Sequence, residues 1–280
     1  MIVDFHAHIF PPDICDNREE YLRRDPIFQQ LYSNPKACLA TAEDLLRSMD
    51  EAGIDVSVAV NFAWRDAALC QLTNDYILEA AAGSGGRLVP FCMFAPDSGE
   101  EAEAEIERCV ALGARGLGEL RPDSQGYDLN GGREADLLAR AGQTHRLPLL
   151  FHVSEPVGHA YPGKSGLALE SFYRFIERWP EAPVVAAHWG GGLPFYALMP
   201  TVKKALAHTY FDTAASCLLY QPEVYCHAAE MVGAAHILFG SDFPFLPQKR
   251  CLREAEKAPL DEEARQLILG ENARRLLGLR

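Results

Sequence analysis

Eight short apolar runs alternate with stretches of helical periodicity along the whole chain. The runs are IVDFH (2–6), IDVSVAV (54–60), RLVPFCMF (87–94), ARGLGEL (114–120), LPLLFHV (147–153), PVVAAH (183–188), TYFDTA (209–214) and HILFGSD (236–242). Between them, TAEDLLRSMDEAG (41–53), EEAEAEIERCVALG (100–113), READLLARAGQTH (133–145) and ESFYRFIERW (170–179) carry apolar residues at helical spacing. Several begin at a Ser, Thr or Asp followed by acids, and some close on Gly, as helix ends require. Continuous apolar strands joined by helices belong to a parallel sheet buried on both faces. Eight such units in 280 residues predict one α/β domain over 1–280, a (β/α)8 TIM barrel. The alternative, an open doubly wound sheet, lacks its glycine-rich turn after the first strand.

The connection after the first strand stands apart. PPDICDNREEYLRRDPIFQQLYSNPKACLA (11–40) is long for a compact domain. It is expected as a cap-like loop at the carboxyl-terminal mouth of the barrel, where it would cover a pocket.

Chemistry-bearing side chains gather at that same mouth. In a strand, residues i and i+2 share a face, so His6 and His8 point the same way. Other strands end at or near Glu119, His152, His188 and Asp242. An isolated buried histidine usually serves only to hydrogen-bond within a core; five strands delivering imidazoles or carboxylates to one rim describe a metal site. Such a donor set suits Zn²⁺, with Mn²⁺ or Fe²⁺ as alternatives. A divalent ion lowers the pKa of bound water from about 15.7 toward roughly 7. Asp242 is the expected proton shuttle.

The motifs resemble the amidohydrolase superfamily, in its amidohydrolase-related branch of metal-dependent barrel enzymes. DFHAHIF is similar to the strand-one HxH motif, FHVSEP and AAHWGG to the strand-five and strand-six histidines, and LFGSDFPF to the strand-eight Asp motif. LILGENARRLLGL (267–279) resembles the branch's final helix. The resemblance implies His6, His8, His152 and Asp242 as ligands, and His188 as a ligand to a second ion or a hydrogen-bonding partner of the water or substrate. Strand four carries no bridging lysine. Glu119 resembles instead the bridging Glu of TatD-like deoxyribonucleases, or else pairs with Arg121 or with a ligand histidine. One or two ions are therefore open.

Past the strand ends, Arg121 could hold a substrate carboxylate or form a structural ion pair. Trp64 could wall the pocket or cover a helix. His159 and Tyr161 lie in a Gly- and Pro-rich loop near the mouth, where plain surface exposure is the alternative. The leading expectation is a metal-dependent hydrolase of a small-molecule amide, ester or lactone. The alternative is non-oxidative decarboxylation of an aromatic or unsaturated carboxylic acid, which the same branch includes. A TatD-like nuclease is supported by Glu119 alone, and a net charge of −13 opposes phosphate backbones as partners. Eight cysteines without CxxC pairs, and no leader-like or membrane-length apolar run, are expected of a cytoplasmic enzyme. Many barrels pair, so a homo-oligomer is an open alternative.

Overall fold

Each apolar run becomes one strand: β1 (Val3–His8), β2 (Val56–Val60), β3 (Leu88–Cys92), β4 (Gly116–Leu120), β5 (Leu149–Phe151), β6 (Val184–Ala186), β7 (Thr209–Asp212) and β8 (Ile237–Leu238). The structure is a computed structural model that describes residues 1–279. Neighbours in sequence are neighbours in the sheet, in the order β1 to β8, and the assigned pairs run parallel. The ring closes beyond the short β8, where Phe5 N–H donates to Phe239 O, Asp242 N–H to His6 O, and His8 N–H to Phe243 O. The fold is a (β/α)8 TIM barrel. Among the strand residues only Tyr210 is not fully buried, as helices on the outer face and side chains within demand. Val3, Phe5, Val58, Phe91, Leu150, Val185 and Leu238 form one buried cluster drawn from six strands, a packed barrel interior beneath the mouth.

The helices follow their sequence signals. Thr41 caps Ala42–Ala52 through a reciprocal pair with Asp44, and Gly53 ends it at φ 76°. The segments 100–113, 133–145 and 170–179 fold as Glu100–Ala111, Arg133–His145 and Leu169–Arg178. No helix among the described residues is long and apolar enough to cross a membrane.

Two expectations need correction. The connection after β1 is no loop: it folds into three helices, Pro12–Asp16, Arg18–Arg24 and Pro26–Tyr32. The starts of the first and third were written in the sequence as prolines at the first helical position, Pro12 and Pro26, and before the third an aspartate, Asp25. Asp25 accepts from Ile27 N and Phe28 N and also from Arg65 N, which ties the cap to the loop after β2. Second, β5, β6 and β8 stop short of the residues expected to end them. His152, His188 and Asp242 stand one, two and four residues beyond, and cross-strand bonds from His152 N–H to Leu120 O and from Asp242 N–H to His6 O still hold two of them in place.

Candidate metal centre

His6, His8, Glu119, His152, His188 and Asp242 meet at the carboxyl-terminal mouth of the barrel. Two overlapping groups form there: His6, His8 and Glu119, and Glu119, His152 and His188. The six come from five strands or their ends, and Glu119 belongs to both groups. Its Oε1 lies 2.9 Å from His152 Nδ1, 3.3 Å from His188 Nε2 and 3.6 Å from His6 Nε2; its Oε2 lies 3.7 Å from His8 Nε2. Asp242 borders the first group, with Oδ1 3.8 Å from His6 Nε2 and 3.7 Å from His8 Nε2.

The backbone that delivers these groups is locked from behind. Asn61, at the end of β2, accepts from Glu119 N–H and donates to Gly118 O, both at 2.8 Å. Its side chain donates to Asn74, whose amide in turn donates to Glu105. Gly118 must be glycine: at φ 147° a Cβ would stand 2.7 Å from both Leu150 Cβ and Leu150 O. In the Gly190–Gly192 run after His188, a Cβ on Gly191 would stand 2.5 Å from Ser154 O, so the glycine lets the loops after β5 and β6 come together. Under the β8 turn, Asp4 accepts from Ser241 N, Ser241 Oγ and Gln248 Nε2.

Hydrogen bonds at the outer nitrogens fix which nitrogen faces inward. His6 Nδ1 lies 2.8 Å from Asp212 Oδ2, His188 Nδ1 lies 3.0 Å from Ala214 O, and His152 Nε2 lies 2.8 Å from Gly163 O. An outer nitrogen facing an acceptor carries the hydrogen, which leaves a lone pair on the inner one. The inner nitrogens then crowd: His188 Nε2 is 3.2 Å from His152 Nδ1, and His6 Nε2 is 3.1 Å from His8 Nε2. Lone pairs at that range repel unless positive charge lies among them. Ligands sharing an ion at about 2.1 Å stand roughly 3.0–3.4 Å apart, so the set fits a divalent metal. His8 Nδ1 is buried without a hydrogen-bond partner among the described residues.

Without an ion, protons must supply that charge. Burial disfavours the charged form of His6, but the Asp212 and Glu119 carboxylates outweigh it and hold its pKa up at about 10. His188 is opposed by burial and raised by Glu119 and Asp242 to about 9. Burial, then charge on His6, lowers His8 to about 4; burial, then Arg121, lowers His152 to about 4. Burial alone would raise Glu119, but His152 and His6 carry it well below the carboxylate range. Opposed pKa values within one buried cluster are a mark of functional sites.

The residues expected to meet a substrate divide. Arg121 is buried at 3% exposure, and its guanidinium donates to Gly163 O at 2.8 Å. It forms no ion pair with Glu119 or any other acid among the described residues, and its Nε has no hydrogen-bond partner. Trp64 is wholly buried, stacked on Phe28 at 5.1 Å between ring centroids and edge-on to Phe62 at 4.7 Å. It packs with Phe10, Phe28 and Phe62 in one buried aromatic cluster. Tyr161 directs its hydroxyl to Glu155, 3.3 Å away, and His159 is exposed on the outer side of the same loop.

Sequence reasoning passed over Asp212 and Tyr32. Asp212 ends β7, so the rule that found the other strand-end groups also finds it. Tyr32 carried no such signal, because the fold of the cap is what brings it to the mouth.

Comparison with known proteins agrees with this geometry. No curated protein matches the chain in sequence. Among solved structures, 5-carboxyvanillate decarboxylase from Sphingomonas paucimobilis superposes with a TM-score of 0.82 at 17% identity, covering 100% of this chain and 99% of that one. The 2,6-dihydroxybenzoate decarboxylase from Rhizobium gives 0.75 at 17%, covering 99% and 98%. A dihydroxybenzoic acid decarboxylase from Polaromonas sp. JS666, with bound manganese and 2-nitroresorcinol, gives 0.76 at 18%, covering 99% and 97%. At these identities the likeness is one of fold. The amidohydrolase family model matches residues 3–279, and with histidines and carboxylates meeting at the mouth of such a barrel, the chain belongs to the amidohydrolase family.

Proposed function

We propose that this protein is a metal-dependent decarboxylase of a hydroxylated aromatic carboxylic acid. The observation that carries the reading is Arg121: a buried guanidinium at the mouth with, among the described residues, no acid partner and an unpartnered Nε. A buried cation is costly to leave unpaired, and a planar fork suits a carboxylate. Phe10, Phe28 and Phe62 form a buried aromatic cluster under the cap, and Tyr32, half-buried, is the ring of that cluster nearest solvent. The decarboxylases that share this fold act on such acids, which puts decarboxylation ahead of the hydrolysis expected first from the motifs.

His6, His8, His152, Asp242 and Glu119 would hold the ion, with His188 beside them. When bound, it would orient the acid and offset negative charge. Manganese, held by the Polaromonas enzyme, is proposed ahead of zinc. Arg121 binds the substrate carboxylate. Asp242 gives a proton to the ring carbon bearing that carboxylate. The bond to the carboxylate carbon then breaks, its electron pair restores the aromatic ring, and CO₂ leaves. Asp242 recovers its proton from solvent.

Hydrolysis of an ester, amide or lactone is the second reading, favoured by the sharing of Glu119 between two donor groups. A panel of hydroxybenzoates and a panel of esters, amides and lactones, assayed with Mn²⁺ and with Zn²⁺, separates them. CO₂ release from a hydroxybenzoate supports decarboxylation; turnover confined to the second panel overturns it.

A further inference from the structure

Tyr32 is the last residue of the cap helix Pro26–Tyr32. Its ring is fixed on three sides: stacked on Phe28 at 4.7 Å, and edge-on to Phe10 at 5.4 Å and Phe62 at 5.8 Å. Those contacts leave the hydroxyl no choice of direction. It makes no hydrogen bond among the described residues, and it lies in the field of the centre. Burial first, then the Asp242 and Glu119 carboxylates, push its ionisation far up, while the Arg121 guanidinium opposes them. The hydroxyl therefore stays a neutral donor with a hydrogen to give. Arg121 brings a second donor without an acceptor, at Nε. One of these donors comes from the residue after β4 and the other from the cap. The cap also reaches the loop that holds Arg121 and His152: Gln30 Nε2 donates to Pro162 O at 3.0 Å, next to the Gly163 carbonyl that both residues use.

We propose that Tyr32 is a specificity-determining residue whose hydroxyl donates to a ring oxygen of the substrate while Arg121 takes the carboxylate. The inference rests on the reading of the substrate as a hydroxylated aromatic acid. Two donors at separate points select for oxygen in two places on one planar molecule. An acid lacking the ring oxygen offers the half-buried Tyr32 hydroxyl no acceptor, so it forgoes that hydrogen bond.

The test is calorimetric binding of 2,6-dihydroxybenzoate and of benzoate to the full chain loaded with Mn²⁺. Wild type, Tyr32→Phe and Arg121→Gln are compared, with circular dichroism melting as the check on folding. Tyr32→Phe keeps the ring stack and removes only the hydroxyl. The expected result is about a tenfold weaker affinity for 2,6-dihydroxybenzoate, little change for benzoate, and a loss on both acids for Arg121→Gln. If Tyr32→Phe binds both acids as wild type does, or weakens both equally, the inference is overturned while the aromatic-acid reading stands. If wild type binds neither acid, that reading falls and takes the inference with it.

Discussion

Asp212→Asn is the substitution whose effect the structure works out most fully. The two carboxylate oxygens have separate tasks. Oδ1 accepts from His188 N at 2.9 Å and from Ala214 N at 3.0 Å; Oδ2 faces His6 Nδ1 at 2.8 Å. An amide has one oxygen, and two backbone N–H groups compete for it. Once the oxygen takes the Oδ1 position, the NH₂ group faces His6 Nδ1, and two hydrogens cannot share that contact. His6 must then move its hydrogen to Nε2, which removes the inward lone pair from the donor cluster. Losing such a partner behind a metal-ligating imidazole costs roughly 10–100-fold in metal affinity, or about 1.4–2.7 kcal/mol. The assay is a competition titration of Mn²⁺ or Zn²⁺ against a chelator, with a thermal melt to show that the barrel survives. An Asp212→Asn protein that is folded and binds the ion within about twofold of wild type would refute the assignment of the inward nitrogen.

Two further outcomes follow from the same packing. Gly118→Ala places a Cβ 2.7 Å from the Leu150 side chain and carbonyl at a φ that side chains avoid, so it should cost about 1–3 kcal/mol or more in urea unfolding; a neutral result would contradict the tight β4–β5 approach. Burial would raise the Glu105 carboxyl, but hydrogen bonds from Arg108 and Asn74 hold it below its ordinary 4.5. Its folded-state pKa lies below its unfolded one, so its contribution to stability is present above pH 4.5 and lost as pH falls through the folded value. The stability gap between wild type and Glu105→Gln should therefore narrow on acidification; a gap independent of pH would show that the ion pair is not what holds the carboxylate.

The barrel was legible because its signals are local. Thr41, Asp44 and Gly53 mark one helix on their own, and β-type apolar runs recur where the strands lie. The metal-site candidates were legible because strand parity places His6 and His8 together and strand ends converge in a closed barrel. What escaped depended on contacts between segments distant in sequence. Tyr32 is placed by the helix Pro26–Tyr32, whose Phe28 and Tyr32 pack against Phe10 and Phe62. The state of Arg121 was open, since whether a guanidinium finds an acid depends on the loop around Gly163, not on its neighbours in sequence. Asp212 obeyed a rule already in use.

Everything above turns on inward nitrogens that share a cation. Anomalous diffraction from crystals of the full chain grown with Mn²⁺ addresses that point directly. The account expects one or two strong peaks among His6, His8, Glu119, His152, His188 and Asp242. A map without a peak there, with the same imidazoles in the same places, would mean that protons alone hold the cluster together and that the catalytic proposal has no metal to stand on.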